Sequence, residues 1–486
     1  MNNRRSHRSD TSVPLRRPSL RSVGAAVLMS FVLLAAATVR ADDGDPDTSF
    51  SGDGKATYAW PTTVFDQEVI DVRTVDVGVL ADASIVTLAE LDTLGPDRFD
   101  ACVVNKFRAN GAVDTTFGFE GWALANFQAK PEKEGCLGVF AGPGNTIVVA
   151  GFIESMALPG STAALSRLSA DGTFDSSFGV GGKVVITAQP FGAAARIRFE
   201  DAIQAPDGKI LLAGWCEDCG GGSPADFLVL RINANGSVDN TFGTSGWARF
   251  ARTGTRQEFA TAIALDTEGR VVLGGYSTQE DDQTTPQAPM LVRLLANGAK
   301  DFSFNETGVV DINLLGSFAT GAIAIDPYND GILLSADITN TTGVVPGSLL
   351  MRIRRDGVVD NDFSTSGFVI FQQEEGTHIT QLAIRRDRRI TAGGWIDPNG
   401  TDTRDFFAAR VFFNGSLDTS FDGNGSNRYT FTFASNSIDI PKAMILSGER
   451  PVLAGTLENE PAETFATGVL RLQSDLIFKS GLEPGQ

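Results

Sequence analysis

Histidine is almost missing from this chain: 486 residues contain two. With so little imidazole, a histidine-dependent acid–base or metal site has almost nothing to be built from. Positive charge is also scarce. Lys and Arg total 40 against 59 Asp and Glu, giving a net charge of -19 and a pI near 4.6. A protein that neutralises phosphates needs a basic face, so nucleic-acid binding is excluded as a function class. Cysteine is limited to four residues, and beyond the first forty positions no apolar run approaches the twenty needed to span a bilayer. What is present points to a folded chain: 42% hydrophobic and 20% charged residues, with 53 glycines that imply many turns. By length alone the chain makes roughly three domains or one large repeat array.

The first forty residues differ from the rest. Arg4, Arg5, Arg8, Arg16, Arg17 and Arg21 precede an apolar stretch from Val23 to Val39, and Val39 and Ala41 fit a cleavage point after Ala41. Residues 1–41 therefore read as a secretory signal peptide. A single membrane anchor and, from Arg16 and Arg17, a twin-arginine signal are the alternatives. Removal of the leader takes the charge to about -25 and leaves His378 as the last histidine. The exported chain is expected in the periplasm, outside the cell or on its surface, without membrane insertion and as a monomer. All four cysteines lie in this part, where disulfides persist.

A short pattern organises nearly everything that follows. Asp, any residue, usually Ser or Thr, then Phe ends at Phe50, Phe117, Phe178, Phe242, Phe304, Phe363 and Phe421, a period of about sixty. A basic and an apolar residue precede most copies and lead into a turn, as in Arg231-Ile232 to Asn235-Gly236 and Arg352-Ile353 to Asp356-Gly357. Asn-Gly and Asp-Gly supply the positive φ of tight turns. Each Phe is followed by a short strand and then by two more, the second ending in Gly, as at Ile210 to Gly214 and Val271 to Gly275. Four strands per repeat without a helix predict an all-β, seven-bladed β-propeller over residues 47–475. Counting strands by type leaves one strand at the start, Lys55 to Trp60, whose blade-mates are at the end. The ring is therefore expected to close by pairing the N-terminal strand with the C-terminal blade, removing a free edge. Residues 476–486 form a tail.

The Asp-Xaa-Ser/Thr-Phe-Gly turn, the Ala-Gly strand end and the Arg-Leu-Xaa-Xaa-Asp/Asn-Gly turn resemble the bacterial delta-60 repeat. That resemblance implies a β-propeller, often secreted or surface-located, and brings no catalytic residues with it. Ala89 and Ala336 at the strand end, and Lys106 in place of Arg, depart from the pattern. The ending Ile477 to Glu483 is similar to tails on secreted proteins of some Gram-negative bacteria.

The repeated Asp, Phe and Arg read as architecture because every blade has them. Cys216 and Cys219 lie in a Gly-rich loop without the surroundings of a redox motif or further zinc ligands, so a small loop disulfide is expected. Cys102 and Cys136, on strands of adjacent blades, are expected as buried thiols, with a bridge as the alternative. His378 has no nucleophile elbow to serve. Acids recur near the start of the innermost strand, at Glu68, Glu134, Glu200, Glu258 and Asp439, and would crowd one channel mouth if that strand lines it. Asp43-Gly44-Asp45 and Asp422-Gly423-Asn424-Gly425 are oxygen-rich in a calcium-like way but lack the closing Glu of a calcium loop, so no cofactor is expected beyond a calcium alternative. The functional expectation is a non-catalytic scaffold that binds a protein or glycan, with contacts at Cys216 to Asp226 and Ser277 to Pro289. The alternative is a carboxylate-based glycan hydrolase or lyase at the channel mouth.

Overall fold

The computed structural model describes residues 43–94, 100–128, 133–154, 160–192, 194–220, 224–252, 256–279, 288–312, 320–338, 347–371, 376–397, 403–434, 437–459 and 462–474. The chain divides into two units, residues 1–40 and 41–486, and all described residues belong to the second. The expected signal peptide, the tail and parts of both expected contact loops lie outside them.

The described chain is all-β, with a 3-10 turn at Pro143–Asn145 as its named helical element. Its strands form antiparallel meanders in which sequence neighbours pair. A typical one runs Lys133–Ala141, Ile147–Glu154, Ser161–Leu168, Lys183–Ile186. An eight-stranded sheet consists of two such meanders, starting at Arg196–Gln204 and Arg256–Leu265, joined by one parallel pair, Ala225 with Gln257. The meander of Ile438–Ser447, Arg450–Asn459 and Thr464–Arg471 takes its fourth strand from the other end of the chain: Lys55–Ala59 pairs with Thr464–Arg471, Lys55 opposite Leu470 and Ala59 opposite Ala466.

The first strand of each meander touches the first strand of the next. The series begins at Gln67–Val79 and continues through Lys133–Ala141, Arg196–Gln204, Arg256–Leu265, Thr320–Ile325 and Thr377–Ile384 to Ile438–Ser447, which contacts Gln67–Val79 again. These strands surround a cavity of about 770 Å³. Strand alternation fills the spaces between meanders with apolar side chains. One such layer joins Leu228 and Leu230 to Val148, Ala150 and Leu165 of the preceding meander, and the next joins Phe227 and Val229 to Ala260, Ile263 and Leu273 of the following one.

An antiparallel meander has two ends. One carries the hairpins between first and second strands and the repeated turn between third and fourth; we call it the turn face. There Arg293 Nε donates to Asp301 Oδ2 at 2.7 Å, Asp301 Oδ1 accepts from the Ser303 amide and hydroxyl, and the guanidinium lies 4.5 Å from the Phe304 ring centre. Arg231 with Asp239, Arg352 with Asp360, Arg410 with Asp418 and Arg471 with Asp47 repeat the arrangement at 2.7–2.9 Å. The same cations reach the following meander, as in Arg293 to the Arg355 carbonyl and Lys106 to that of Ala170. Planar guanidinium suits this double task. Where the last meander lacks its turn glycine, the N-terminal segment takes its place. Asp47 receives Arg471, and the Asp43 carboxylate takes Arg410, Arg385 at 3.2 Å and Arg389 at 3.5 Å.

Cys102 and Cys136 correct the expectation of thiols. They form a disulfide across a Cα–Cα distance of 5.7 Å, because the third strand Asp100–Phe107 and the next cavity strand pack side by side. Cys216 and Cys219 are disulfide-linked as expected.

Candidate functional site

The other end of the meanders, the mouth face, carries the connections between second and third strands and between successive meanders. Its geometry is set by β-bulges. Every cavity strand shifts register against its second strand, for example between Phe199 and Asp201, between Ala260 and Ala262, between Ile379 and Gln381 and between Pro441 and Ala443. The extra residue is pushed into the cavity wall, which places Val75, Leu137, Glu200, Thr261, Thr380 and Lys442 there. The glycines expected to end the second strands, such as Gly214 and Gly275, lie inside them, since Ile210–Glu217 and Val271–Gln279 run on past these positions, and they belong to this device. A Cβ on Gly214 would lie 1.9 Å from the Arg198 carbonyl oxygen, and one on Gly394 1.8 Å from that of His378. Only hydrogen at these positions lets the bulged strand close in.

The five acids expected at one mouth separate into three environments. Glu134, Glu258 and Asp439 occupy the same place, three residues before the bulge, and all are buried. Glu134 accepts from the Phe127 and Gln128 amides, Asp439 from the Phe431 amide at 2.9 Å, and Glu258 faces Arg252 at 3.8 Å. Each thus holds the chain arriving from the preceding meander. Burial pushes their carboxyls up to about 7, the amides or Arg252 opposing it. Glu200 is the bulge residue itself and faces the cavity; burial raises its carboxyl, against a Trp215 hydrogen bond and the Arg198 charge. Glu68 is exposed and sits opposite Thr63 in a short hairpin.

Two further wall carboxylates escaped the sequence reading. Asp76 accepts from the Val139 amide at 2.8 Å and Asp201 from the Ile263 amide at 2.9 Å, each stitching its cavity strand to the next one. Burial lifts both to about 7, and the charge of Asp76 adds to the rise at Asp201.

Aromatic rings stand behind this wall. Phe152, Trp215, Tyr276 and Trp395 each directly follow such a glycine and are half-buried. Trp215 meets Phe259 edge-on with centroids 5.0 Å apart, and Phe259 meets Tyr276 at 5.2 Å and 31°. In a later meander His378 stacks on Trp395 at 3.8 Å, with the Arg404 guanidinium 4.7 Å from that ring centre. Asp337, on the cavity wall, pairs with His378 Nδ1 at 2.9 Å and accepts from the Ser348 hydroxyl at 2.7 Å. Ser348 thus bonds the carboxylate and not the imidazole, so the three do not form a nucleophile relay. Gly-aromatic dipeptides at a fixed place in the repeat were the sequence signal for these rings.

The calcium-like stretches are brought together, Asp43 bridging to Phe421, but three arginines occupy the Asp43 carboxylate. Among the described residues no group of three or more His, Cys, Asp or Glu side chains is placed to hold a metal ion, and no helix is long and apolar enough to cross a membrane.

No curated protein matches the sequence. A protein of unknown function from Dyadobacter fermentans is similar in structure at a TM-score of 0.41 and 14% identity, over 72% of this chain and 97% of that one. The Penicillium chrysogenum α-L-arabinanase, complexed with arabinobiose, gives 0.41 and 9% over 70% and 92%. The Nup133 β-propeller domain of Vanderwaltozyma polyspora gives 0.37 and 12% over 85% and 99%. Likenesses of this degree say nothing of ligand or activity. Residues 144–178 and 205–242 match a family described as a β-propeller domain of unknown function, DUF5122, so this chain carries β-propeller repeats.

Proposed function

We propose that the chain is an exported, seven-bladed β-propeller of delta-60-like repeats, four strands to a blade, acting as a non-catalytic binding scaffold with its ligand site at the mouth of the central cavity. Export is supported by the leader and by two disulfides. Seven blades are supported by the circuit of cavity strands that returns from Ile438–Ser447 to Gln67–Val79. One observation carries the binding reading: the half-buried run Trp215, Phe259, Tyr276 beside Glu200 at the cavity wall, where the repeat places different residues in different blades. Large aromatic faces next to a few polar groups are what ligand sites offer.

The test is binding of labelled protein to Gram-negative envelope fragments. Replacing Trp215 and Tyr276 together by Ala should weaken it at least tenfold with the melting temperature held; unchanged binding overturns the site. A second reading, a glycan hydrolase or lyase, is favoured by the Asp76 and Asp201 carboxyls lying near neutrality within the cavity. Release of soluble sugars from the fragments, lost on Asp201→Asn, would put that reading in place of the first.

A further inference from the structure

The chemistry of this mouth narrows the class of ligand, on the premise that the mouth is the binding site. Three features act together. The rings of Trp215, Phe259 and Tyr276 touch one another, with centroids 5.0 and 5.2 Å apart, so no cation fits between them as in an aromatic cage. What they offer is their outer faces, a platform for a flat, weakly polar C–H surface. Glu200 stands at the bulge between Phe199, which is opposite Gly214, and Asp201, next to Trp215 in the neighbouring strand and hydrogen-bonded to it; burial and then the Glu200 charge raise the Tyr276 hydroxyl pKa. The cavity beyond carries Asp76, Asp201 and Asp337, with Lys442 as the opposing charge on its wall; Arg198, opposite Trp215, is paired with Glu154.

A polyanion, whether uronate-rich, sulfated or phosphorylated, meets repulsion from these carboxylates. An apolar peptide anchor would strip water from carboxylates without replacing their hydrogen bonds, which is costly. A neutral sugar satisfies both parts: its C–H face stacks on an indole or phenol ring, and its paired hydroxyls donate to carboxylate oxygens. The cavity of about 770 Å³ is lined by Glu200 but by none of the three rings, so the sugar would stack outside it and meet its edge at Glu200. We infer that the mouth binds a neutral oligosaccharide, with one sugar ring stacked on the Trp215–Tyr276 side of the mouth and its hydroxyls bonded to Glu200.

Neutral glucan and mannan hexasaccharides, an oligogalacturonate of equal length and a panel of apolar and proline-rich peptides are titrated separately while tryptophan emission is followed. A neutral hexasaccharide is expected to bind and shift the emission. Trp215→Ala should lower its affinity at least tenfold, Trp215→Phe should restore most of it, and Glu200→Gln should cost several-fold, each variant melting like the parent. Stronger binding of the oligogalacturonate, or failure of every neutral hexasaccharide at millimolar concentration, overturns the assignment of class. Peptide binding with the same sensitivity to Trp215→Ala overturns it too and leaves the mouth as the site. A neutral glycan whose affinity ignores Trp215→Ala overturns the site together with the class.

Discussion

The turn face and the mouth face are built from the same repeats and treat them in opposite ways. On the turn face the repeat is kept almost side chain by side chain: a cation, an Asp, a Ser or Thr (Asp362 in one copy) and a Phe recur, the arginine–aspartate distances being nearly constant. On the mouth face the position after the expected strand end holds Glu90, Phe152, Trp215, Tyr276, Asp337, Trp395 and Thr456 in successive meanders. The backbone there bulges in every meander, twice in Gln67–Val79 and across two residues between Thr320 and Ile323, but its side chains are individual. Repetition marks what every meander needs in order to pack; departure from it coincides with the ligand site proposed above. Both faces carry ion pairs, Arg428 with Asp405 at 2.7 Å being one on the mouth side, but the Cys102–Cys136 and Cys216–Cys219 bridges are on the mouth side.

The sharpest way to break this contrast is on the turn face. Arg410→Met takes away the guanidinium shared by two buried carboxylates, Asp418 and Asp43, leaving them to Arg385 and Arg389, and should remove about 3–5 kcal/mol in urea unfolding. A loss below about 1 kcal/mol would mean that the repeated pairs do not hold the ring.

Next come the bridges. Replacing Cys102 and Cys136 by Ser opens a crosslink spanning 34 residues and should cost about 2–4 kcal/mol, whereas the Cys216–Cys219 loop, three residues apart, should cost less. Equal midpoints in chemical denaturation would remove the distinction.

A separate expected effect is in pH. At the mouth, Glu134, Glu258 and Asp439 have carboxyls raised to about 7, so the folded state holds protons that the unfolded chain releases near 4. Their contribution is complete below about 4 and fades as pH rises to about 7. On the turn face burial pushes Asp47 and Asp418 upward, but serine hydrogen bonds and arginines outweigh it and leave both below the usual value, so their contribution is lost as the medium becomes strongly acid. Stability should peak in mild acid and decline toward neutrality, and Glu258→Gln should flatten the decline. A melting temperature that rises from pH 4.5 to 7 in both proteins would contradict this.

The turn face was legible in the sequence because its signals are local: Asp175 to Phe178 and Asp239 to Phe242 announce a turn wherever they occur. The pairing of Lys55–Ala59 with Thr464–Arg471 followed from counting strand types. The mouth was legible only in part. Alternation assigns faces by parity, and a bulge reverses parity without leaving a residue type behind. Glu134 and Glu200 look alike in sequence, yet one lies three residues before its bulge and is buried, while the other is the bulge and faces the cavity. Asp76 and Asp201 were missed for the same reason, and Cys102 with Cys136 because contact between strands of neighbouring meanders has no sequence period.

The seating of the N-terminal segment has a mechanical side. Lys55 lies opposite Leu470, so a pull on the two ends of the folded chain acts at the same end of one strand pair and would open it rung by rung. Ahead of that pair stand Asp43 among Arg385, Arg389 and Arg410, Pro46 against Leu472, and Asp47 on Arg471. Tension therefore reaches this ionic knot first, and the remaining sheets carry no load until it gives way.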